Sequence, residues 1–235
     1  MKILGLIGGM SWESTLVYYQ QINRRVRVKM GGLHSSKCLI YSFDFAEIAH
    51  LQHSGKWNEA GALLGKAAVS LKRGGADAIV ICTNTMHKLA AVVERNCGLP
   101  LLHIADPTAD AIKQAGYERV GLIGTRFTME QDFYKKRLIE QHGLDVLIPD
   151  ECDRATINRI IYEELCIGLV KDESRNAFVA TIQRMQAAGA QCIILGCTEI
   201  GMLLMNADLP LPAFDTTVIH AEAAADWAMQ GSEFF

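Results

Sequence analysis

Polar and reactive side chains stand directly after three apolar runs, in residues 8–15, 83–87 and 197–199. Such runs are typical of buried strands, and in open α/β sheets ligands bind outside the carboxyl ends of the strands. The three segments supply hydroxyls, an amide, an imidazole, a thiol and a carboxylate, which are groups that can hold a small polar molecule and move protons. We therefore treat them as the candidate site.

Cys197 is the most reactive of these side chains, because its thiolate can act as nucleophile or base. It ends an apolar run and precedes a predicted helix, whose N-terminus supplies positive potential that would stabilise the thiolate and lower its pKa. Burial alone would raise that pKa. Cys192 lies inside the run and is expected in the core. His87 is the histidine best placed for a Cys–His pair, but nothing in the sequence fixes a third member.

The glycine-rich segment 8–15 allows close approach of the backbone, and the N–H groups of the following helix could hold an anion. The segment matches neither GxGxxG nor GxxxxGK(S/T), so neither nucleotide-phosphate mechanism is supported. A plain strand-to-helix turn is the alternative interpretation.

Apolar runs alternate with longer segments of 3.6-residue periodicity, which favours parallel strands covered by helices. Predicted strands are residues 2–8, 38–43, 78–82, 119–124, 145–148 and 192–196. Predicted helices are residues 15–30, 58–73, 87–96, 130–141, 154–169, 172–188 and 218–229. The pattern predicts two α/β lobes, each a mostly parallel sheet flanked by helices. We place lobe 1 at residues 1–114, with the C-terminal segment 216–235 packing back on it, and lobe 2 at residues 115–215.

The two halves of the chain resemble each other in sequence. The shared segments, in order, are residues 5–8 with 121–124, 75–85 with 189–199, and 99–106 with 209–215. The preserved order favours duplication over chance. The second pair aligns without a gap and sets Thr83 opposite Cys197. If the lobes face each other, these two positions meet across one cleft, where we expect the active site.

The composition limits the classes of function. Half of the 235 residues are hydrophobic and 21% are charged, which suits one large or two small folded domains. The 23 Lys and Arg against 26 Asp and Glu are spread along the chain and leave no basic footprint for nucleic acid. No apolar run approaches the roughly 20 residues of a membrane helix, so we expect a cytoplasmic protein without a membrane partner. Seven cysteines without paired CxxC spacing predict neither a disulfide framework nor a metal site.

In its polar segments the sequence resembles the aspartate/glutamate racemase family, the pyridoxal-independent amino-acid racemases, over essentially the whole chain. The resemblance is carried by Gly8-Gly9-Met10-Ser11, by Asn84-Thr85-Met86-His87, by the Gly124-Thr125 turn followed by Thr128, and most specifically by Gly196-Cys197-Thr198-Glu199.

The resemblance implies an isomerase that works without cofactor or metal, on a small amino-acid substrate, as a homodimer of two-lobed subunits. Two cysteines act on opposite sides of the α-carbon, because one group cannot readily remove a proton from one face and return it to the other. Hydrogen-bond donors stabilise the negative charge that develops on the α-carboxylate. The implied substrate-binding residues are Met10, Ser11, Trp12, Gln52, Asn84, Thr85, Thr125, Thr198 and Glu199.

This sequence departs from the family at the first cysteine position, which holds Thr83, with Cys82 one residue earlier. A shift of one residue along a strand points the side chain to the other face, so Cys82 is not a substitute. A hydroxyl is far less acidic than a thiol. In the racemases that the sequence resembles, the second cysteine acts on the L enantiomer, so the resemblance implies that Cys197 deprotonates L-amino acids. We expect Thr83 to return the proton slowly on the other face. Because the equilibrium constant of racemisation is unity, Thr83 must lower kcat/KM equally in both directions.

The substrate side chain is less well defined. Aspartate-specific relatives carry basic residues for its carboxylate, whereas here Cys166 stands at one of those positions and residues 45–52 hold no Arg or Lys. The neutral donors Gln52, Ser11 and Trp12 could hold the carboxylate instead. Aspartate or glutamate is our first expectation, and a broad amino-acid range is the alternative. A single-cysteine decarboxylase or cis-trans isomerase on the same scaffold, and an amino-acid-binding protein without turnover, are further alternatives.

Overall fold

A computed structural model describes residues 1–204 and 208–231 of the chain. The chain divides into two compact units. Unit 1 comprises Met1–His103 together with the chain from His220 onward, and unit 2 comprises Ile104–Ile219. Each unit is an α/β sandwich built around one parallel sheet, as the alternation of apolar runs and periodic segments predicts.

Unit 1 contains a four-stranded parallel sheet whose strands are β1 Leu4–Gly8, β2 Cys38–Ser42, β3 Ala78–Ile81 and β4 Leu101–Leu102. The strand order is β2-β1-β3-β4. The central strands β1 and β3 are buried at every position, because helices cover both of their faces. The helices of this unit are α1 Trp12–Met30, α2 Phe45–His53, α3 Trp57–Arg73 and α4 Ala90–Cys97, with a 3₁₀ turn at Thr85–Leu89.

Side chains of β3 alternate between two apolar clusters. Ile79 and Ile81 pack with residues of α3 and α4, whereas Val80 and Cys82 pack with residues of α1 on the other face. The alternation continues past the end of the strand. Cys82 is therefore a core residue, and its side chain lies on the face of the sheet that packs against α1.

Unit 2 repeats this plan with strands β5 Arg119–Gly124, β6 Asp145–Leu147, β7 Cys192–Gly196 and β8 Ala213–Asp215. Their order, β6-β5-β7-β8, is the order of the first sheet. The repeated sequence segments fall on equivalent strands, β1 with β5 and β3 with β7. The helices of the second half are α5 Ala105–Gln114, α6 Arg126–Glu130, α7 Asp132–Lys136, α8 Glu151–Glu163, α9 Asp172–Ala187, α10 Ile200–Leu204 and α11 Thr216–Met229.

We expected lobe 1 to end at residue 114 and the C-terminal segment from residue 216 to pack on it, whereas unit 1 ends at His103 and includes the chain from His220 onward. Helix α5 follows the last strand of the first sheet, but its Ala109 and Ile112 pack with Val120 and Leu122 in unit 2. Helix α11 follows the last strand of the second sheet, and the alanines on its buried face pack in unit 1 with β1 and α1. Each half therefore contributes its final helix to the other unit. Residues 232–235 of the predicted C-terminal segment lie outside the described residues.

Within the described ranges, the structure contains no helix that combines the length and the hydrophobicity needed to cross a membrane.

Candidate active site

The candidate site of unit 2 begins where β7 ends at Gly196. Gly196 is paired with Gly124 of the neighbouring strand β5. A side chain at Gly124 would place its Cβ 2.7 Å from the Gly196 carbonyl oxygen, so the backbones approach as closely as only glycine allows at this pair. The pair brings the ends of two parallel strands together directly before Cys197.

Cys197, Thr198 and Glu199 form a buried hydrogen-bonded cluster, with Cys197 only 7% exposed. The Cys197 thiol donates to Oε2 of Glu199 over 3.0 Å, and the Thr198 hydroxyl donates to the same oxygen over 2.6 Å. The turn is held by the Ile200 N–H, which donates to the Cys197 carbonyl over 3.2 Å. A thiol that donates to a carboxylate has an acceptor in place for its proton.

The pKa of the Cys197 thiol lies well above its usual range, which overturns the expectation that a helix N-terminus would lower it. Burial is the largest cause, followed by the negative charge of Glu199, the nearby Cys166 and the hydrogen bond to Glu199, while the backbone N–H of Glu199 opposes them. The helix α10 that follows has five residues, too few to outweigh these effects. The resting thiol is therefore protonated.

Two further side chains surround this cluster. Tyr162, on α8, is mostly buried, and its pKa is raised by burial and then by the charges of Cys197, Cys166 and Glu199. Cys166 lies in the 3₁₀ turn Leu165–Ile167 and is half-buried. From the sequence, Cys166 was expected only as a replacement for a basic residue. Tyr162 was not predicted, because nothing in its local pattern distinguishes it from other aromatic residues of a helix.

Thr125 and Thr128 lie just after β5, at the start of α6 in unit 2. Thr125 caps α6 by accepting a hydrogen bond from the Thr128 N–H, and the two hydroxyl oxygens lie 3.2 Å apart. A side chain at Gly196 would lie 3.2 Å from the Thr128 methyl group, so this cap is adjacent to the Cys197 strand end. Both threonines are buried.

Unit 1 has the same kind of cap after β1. Ser11 caps α1 by accepting from the Ser14 N–H, and their hydroxyl oxygens also lie 3.2 Å apart. Gly9 has a positive φ of 78°, and a side chain there would collide with the backbone of Phe43. The predicted strand-to-helix turn is therefore present, and Ser11 has a structural role in it.

Thr83 follows β3 in unit 1 and is half-buried, which keeps its side chain partly accessible. Its neighbours Asn84 and Thr85 are buried. The Cys82 N–H donates to the Ile7 carbonyl over 2.9 Å, which holds this strand end beside the end of β1. Burial raises the pKa of the Cys82 thiol far above its usual range, so this cysteine is a core residue.

The remaining predicted residues of unit 1 lie in different surroundings. Gln52 is 4% exposed, its Nε2 donates to the Met86 sulfur over 2.9 Å, and its Oε1 accepts no hydrogen bond within the described residues. Met10 packs in the core with Met86, so only its backbone can face a ligand. Trp12 is 64% exposed at the start of α1.

A protonated thiol hydrogen-bonded to a carboxylate at the end of a parallel strand defines a proton-transfer site in a two-unit α/β protein. The profile of the Asp/Glu/hydantoin racemase family matches residues 7–224. The chain belongs to this family. Family membership and the structures below support an amino-acid racemase, which is an isomerase.

Solved structures and curated proteins show the same relationship. A proposed Asp/Glu racemase from Yersinia pestis is 58% identical with a TM-score of 0.91, over 98% of this chain and 100% of that one. An aspartate racemase homologue from Pyrococcus horikoshii OT3 is 34% identical with a TM-score of 0.83, over 98% and 100%. A broad-specificity amino-acid racemase from Bacillus subtilis (strain 168) is 24% identical over 160 residues, 66% of this chain and 66% of that protein.

Proposed function

We propose that the protein is a cofactor-independent amino-acid racemase that acts on aspartate or glutamate, with Cys197 as the base for the L enantiomer. The hydrogen bond from the Cys197 thiol to Glu199 carries this proposal. It gives the thiol proton a destination, and a binding protein without turnover has no need for such an acceptor.

In the proposed reaction Glu199 takes the proton from the Cys197 thiol and leaves a thiolate. The thiolate then removes the proton from the substrate α-carbon. The raised pKa of Cys197 makes the thiolate a stronger base in this second step, and it makes formation of the thiolate in the first step less favourable by the same amount. The electron pair moves into the α-carboxylate, where hydrogen-bond donors such as the Asn84 amide and the backbone N–H groups beside it are proposed to stabilise it.

Thr83 is proposed to donate its hydroxyl proton to the opposite face of the carbanion. The alkoxide that remains then recovers, through water, the proton that Glu199 took from Cys197, so that all three groups return to their starting states. It is half-buried at the strand end equivalent to that of Cys197, which supports this role. A hydroxyl is a weak acid compared with a thiol of pKa about 8.5, so inversion is expected to be slower than exchange on the Cys197 side.

The proposal leaves two possibilities for the substrate side chain, an acidic one or a broad range of side chains. Within unit 2, the groups that shift the pKa of Cys197 are Glu199 and Cys166, neither of which is basic. A strand end without a basic partner for a substrate carboxylate favours a second candidate, a racemase of broad amino-acid range, and one relative has that specificity by name. Aspartate and glutamate remain the first choice. We also propose a cytoplasmic homodimer, which light scattering of the purified protein would test.

The experiment is chiral chromatography after incubation with each enantiomer of aspartate, glutamate and a panel of neutral amino acids. We expect inversion of the acidic substrates and its loss in Cys197→Ala. Cys192→Ala is the matched control, because Cys192 is buried in an apolar cluster at the start of β7, the strand that precedes Cys197. Release of carbon dioxide would instead indicate a single-cysteine decarboxylase, and formation of an alkene isomer would indicate a single-cysteine cis-trans isomerase. Binding without conversion would contradict the proposal.

A further inference from the structure

Three histidine side chains are buried together in unit 1. His87 follows Thr83 on the 3₁₀ turn, His103 follows β4, and His220 lies on α11; they are 3%, 8% and 0% exposed. The ring of His87 is 4.7 Å from that of His103 and 5.6 Å from that of His220. Buried imidazoles are stable only when their nitrogens are hydrogen-bonded, so the bonds they make are informative.

The hydrogen bonds fix the tautomers of two of these rings. His220 Nε2 lies 2.8 Å from the Leu102 carbonyl oxygen, which can only accept, so Nε2 carries the proton. The other nitrogen, Nδ1, then accepts from the Tyr18 hydroxyl over 2.8 Å. His87 Nδ1 lies 2.8 Å from the Thr83 carbonyl oxygen and must likewise be the protonated nitrogen of that ring.

The surroundings favour neutral rings. The titratable groups that face His87 are His103 and His220, and Tyr18 faces His220 from α1. A positive charge on one imidazole would repel a charge on the next. Burial and then the charges of His103 and His220 hold the pKa of His87 well below its usual range, while its hydrogen bond to the Thr83 carbonyl acts in the opposite direction.

This network includes a hydrogen bond to Thr83, the residue proposed to return the proton during inversion. It connects the Thr83 carbonyl, at the end of β3, to α11 through the His87 and His220 rings, and to α1 through Tyr18. We propose that His87 is a positioning residue for Thr83: its protonated Nδ1 anchors the Thr83 backbone so that the hydroxyl is held where it can return the proton. This rests on the proposed function, in which Thr83 is the second proton donor.

The first test is a long-range ¹H–¹⁵N correlation spectrum of the labelled protein between pH 5.5 and 8. We expect His87 to be neutral with the proton on Nδ1 across this range, and His220 to carry a proton on Nε2. A His87 ring whose neutral form carries the proton on Nε2, or one that becomes doubly protonated within this range, would overturn the assignment.

The second test compares α-proton wash-out with inversion of L-substrate in deuterated buffer. His87→Leu removes the donor, and we expect inversion to fall about tenfold while wash-out on the Cys197 side stays within about twofold. His87→Asn keeps an N–H donor near the Nδ1 position and should restore inversion to within about threefold of the wild-type protein. His50→Asn is the matched control.

The two rates separate positioning from general damage to the fold. An equal fall of wash-out and inversion in His87→Leu, or no rescue by His87→Asn, would contradict the positioning role. Absence of wash-out from the wild-type protein would instead contradict the proposed function. In that case the tautomer of His87 in the spectrum still decides whether it anchors the Thr83 carbonyl.

Discussion

At the scale of single residues, the contact between the Cys197 thiol and Glu199 distinguishes this cysteine from the buried Cys82 and Cys192, which pack among apolar side chains. Its position after a strand was predictable, because strand ends are marked in the sequence by apolar runs. The direction in which its pKa is shifted was not predictable. Burial and a neighbouring carboxylate depend on tertiary packing, and they outweigh the short helix that follows.

Glu199→Gln tests whether the carboxylate accepts the thiol proton. Removing its negative charge should lower the pKa of Cys197, yet exchange of the substrate α-proton should fall at least about tenfold because the acceptor is lost. The pH dependence of Cys197 alkylation, followed by mass spectrometry, measures the first effect, and proton NMR measures the second. Glu151→Gln, at an exposed position on α8, is the control. Exchange that is unchanged or faster in Glu199→Gln would rule out this role.

Thr83→Cys tests the weak partner. A thiol is a much better proton donor than a hydroxyl, so inversion should rise at least about tenfold. The gain must be the same from either enantiomer, because the equilibrium constant is unity. Chiral chromatography of time courses from L- and D-aspartate gives both rates. If inversion does not increase, Thr83 does not limit it.

At the scale of elements, the strands were the most predictable part of the fold. Strands β5 and β7 match their predicted ranges, since each is a continuous apolar run. Helices were less predictable. The predicted helix 130–141 is interrupted at Gln131, whose extended backbone separates α6 from α7, and the nine-residue α2 has too short a pattern to stand out. The packing of α5 in unit 2 was not predicted, because sequence similarity does not show which sheet a helix covers, whereas the C-terminal helix α11 was expected on the first lobe.

Gly124→Ala tests the close approach of β5 and β7 before Cys197. The new methyl group would lie 2.7 Å from the Gly196 carbonyl oxygen, a backbone atom that cannot move aside cheaply. We expect a loss of about 1–3 kcal/mol in the free energy of unfolding, measured with urea. Gly61→Ala on α3 is the contrasting variant, because its nearest neighbour is a side-chain atom at 3.4 Å. It should be neutral or stabilising by up to about 1 kcal/mol. Equal stability of both variants would contradict the account of this strand pair.

At the scale of the whole molecule, each unit combines a sheet with a helix from the other half of the sequence. Unit 1 also contains the buried rings of His87, His103 and His220, the last of which lies on α11. The lowered pKa of His87 makes stability sensitive to mild acid. Asp106 affects stability at lower pH. Burial raises its pKa, but hydrogen bonds from Arg137 and His142 bring the pKa below its usual value. Its contribution is lost only as the pH falls toward and below about 3.8.

The pH dependence of stability therefore reports on the histidines between about pH 6.5 and 5. Below about pH 6.5 the unfolded chain binds a proton at His87 that the folded chain, with its lowered pKa, does not bind. Stability should be full above this value and should decrease on acidification by at most about 1.4 kcal/mol per pH unit for this one site. His87→Asn should flatten that slope in thermal unfolding. A slope unchanged by the substitution would show that His87 is not the group involved.

The most direct measurement of the account is α-proton wash-out from L- and D-aspartate and from L- and D-glutamate in deuterated buffer, with chiral analysis of the same samples. We predict that L-substrate loses its α-proton faster than the D enantiomer accumulates, and that D-substrate exchanges its α-proton slowly. Cys197→Ser should abolish both the exchange of the α-proton and the inversion. Wash-out that is absent from all four substrates, or that persists in Cys197→Ser, would contradict the assignment of Cys197 as the base of an acidic amino-acid racemase.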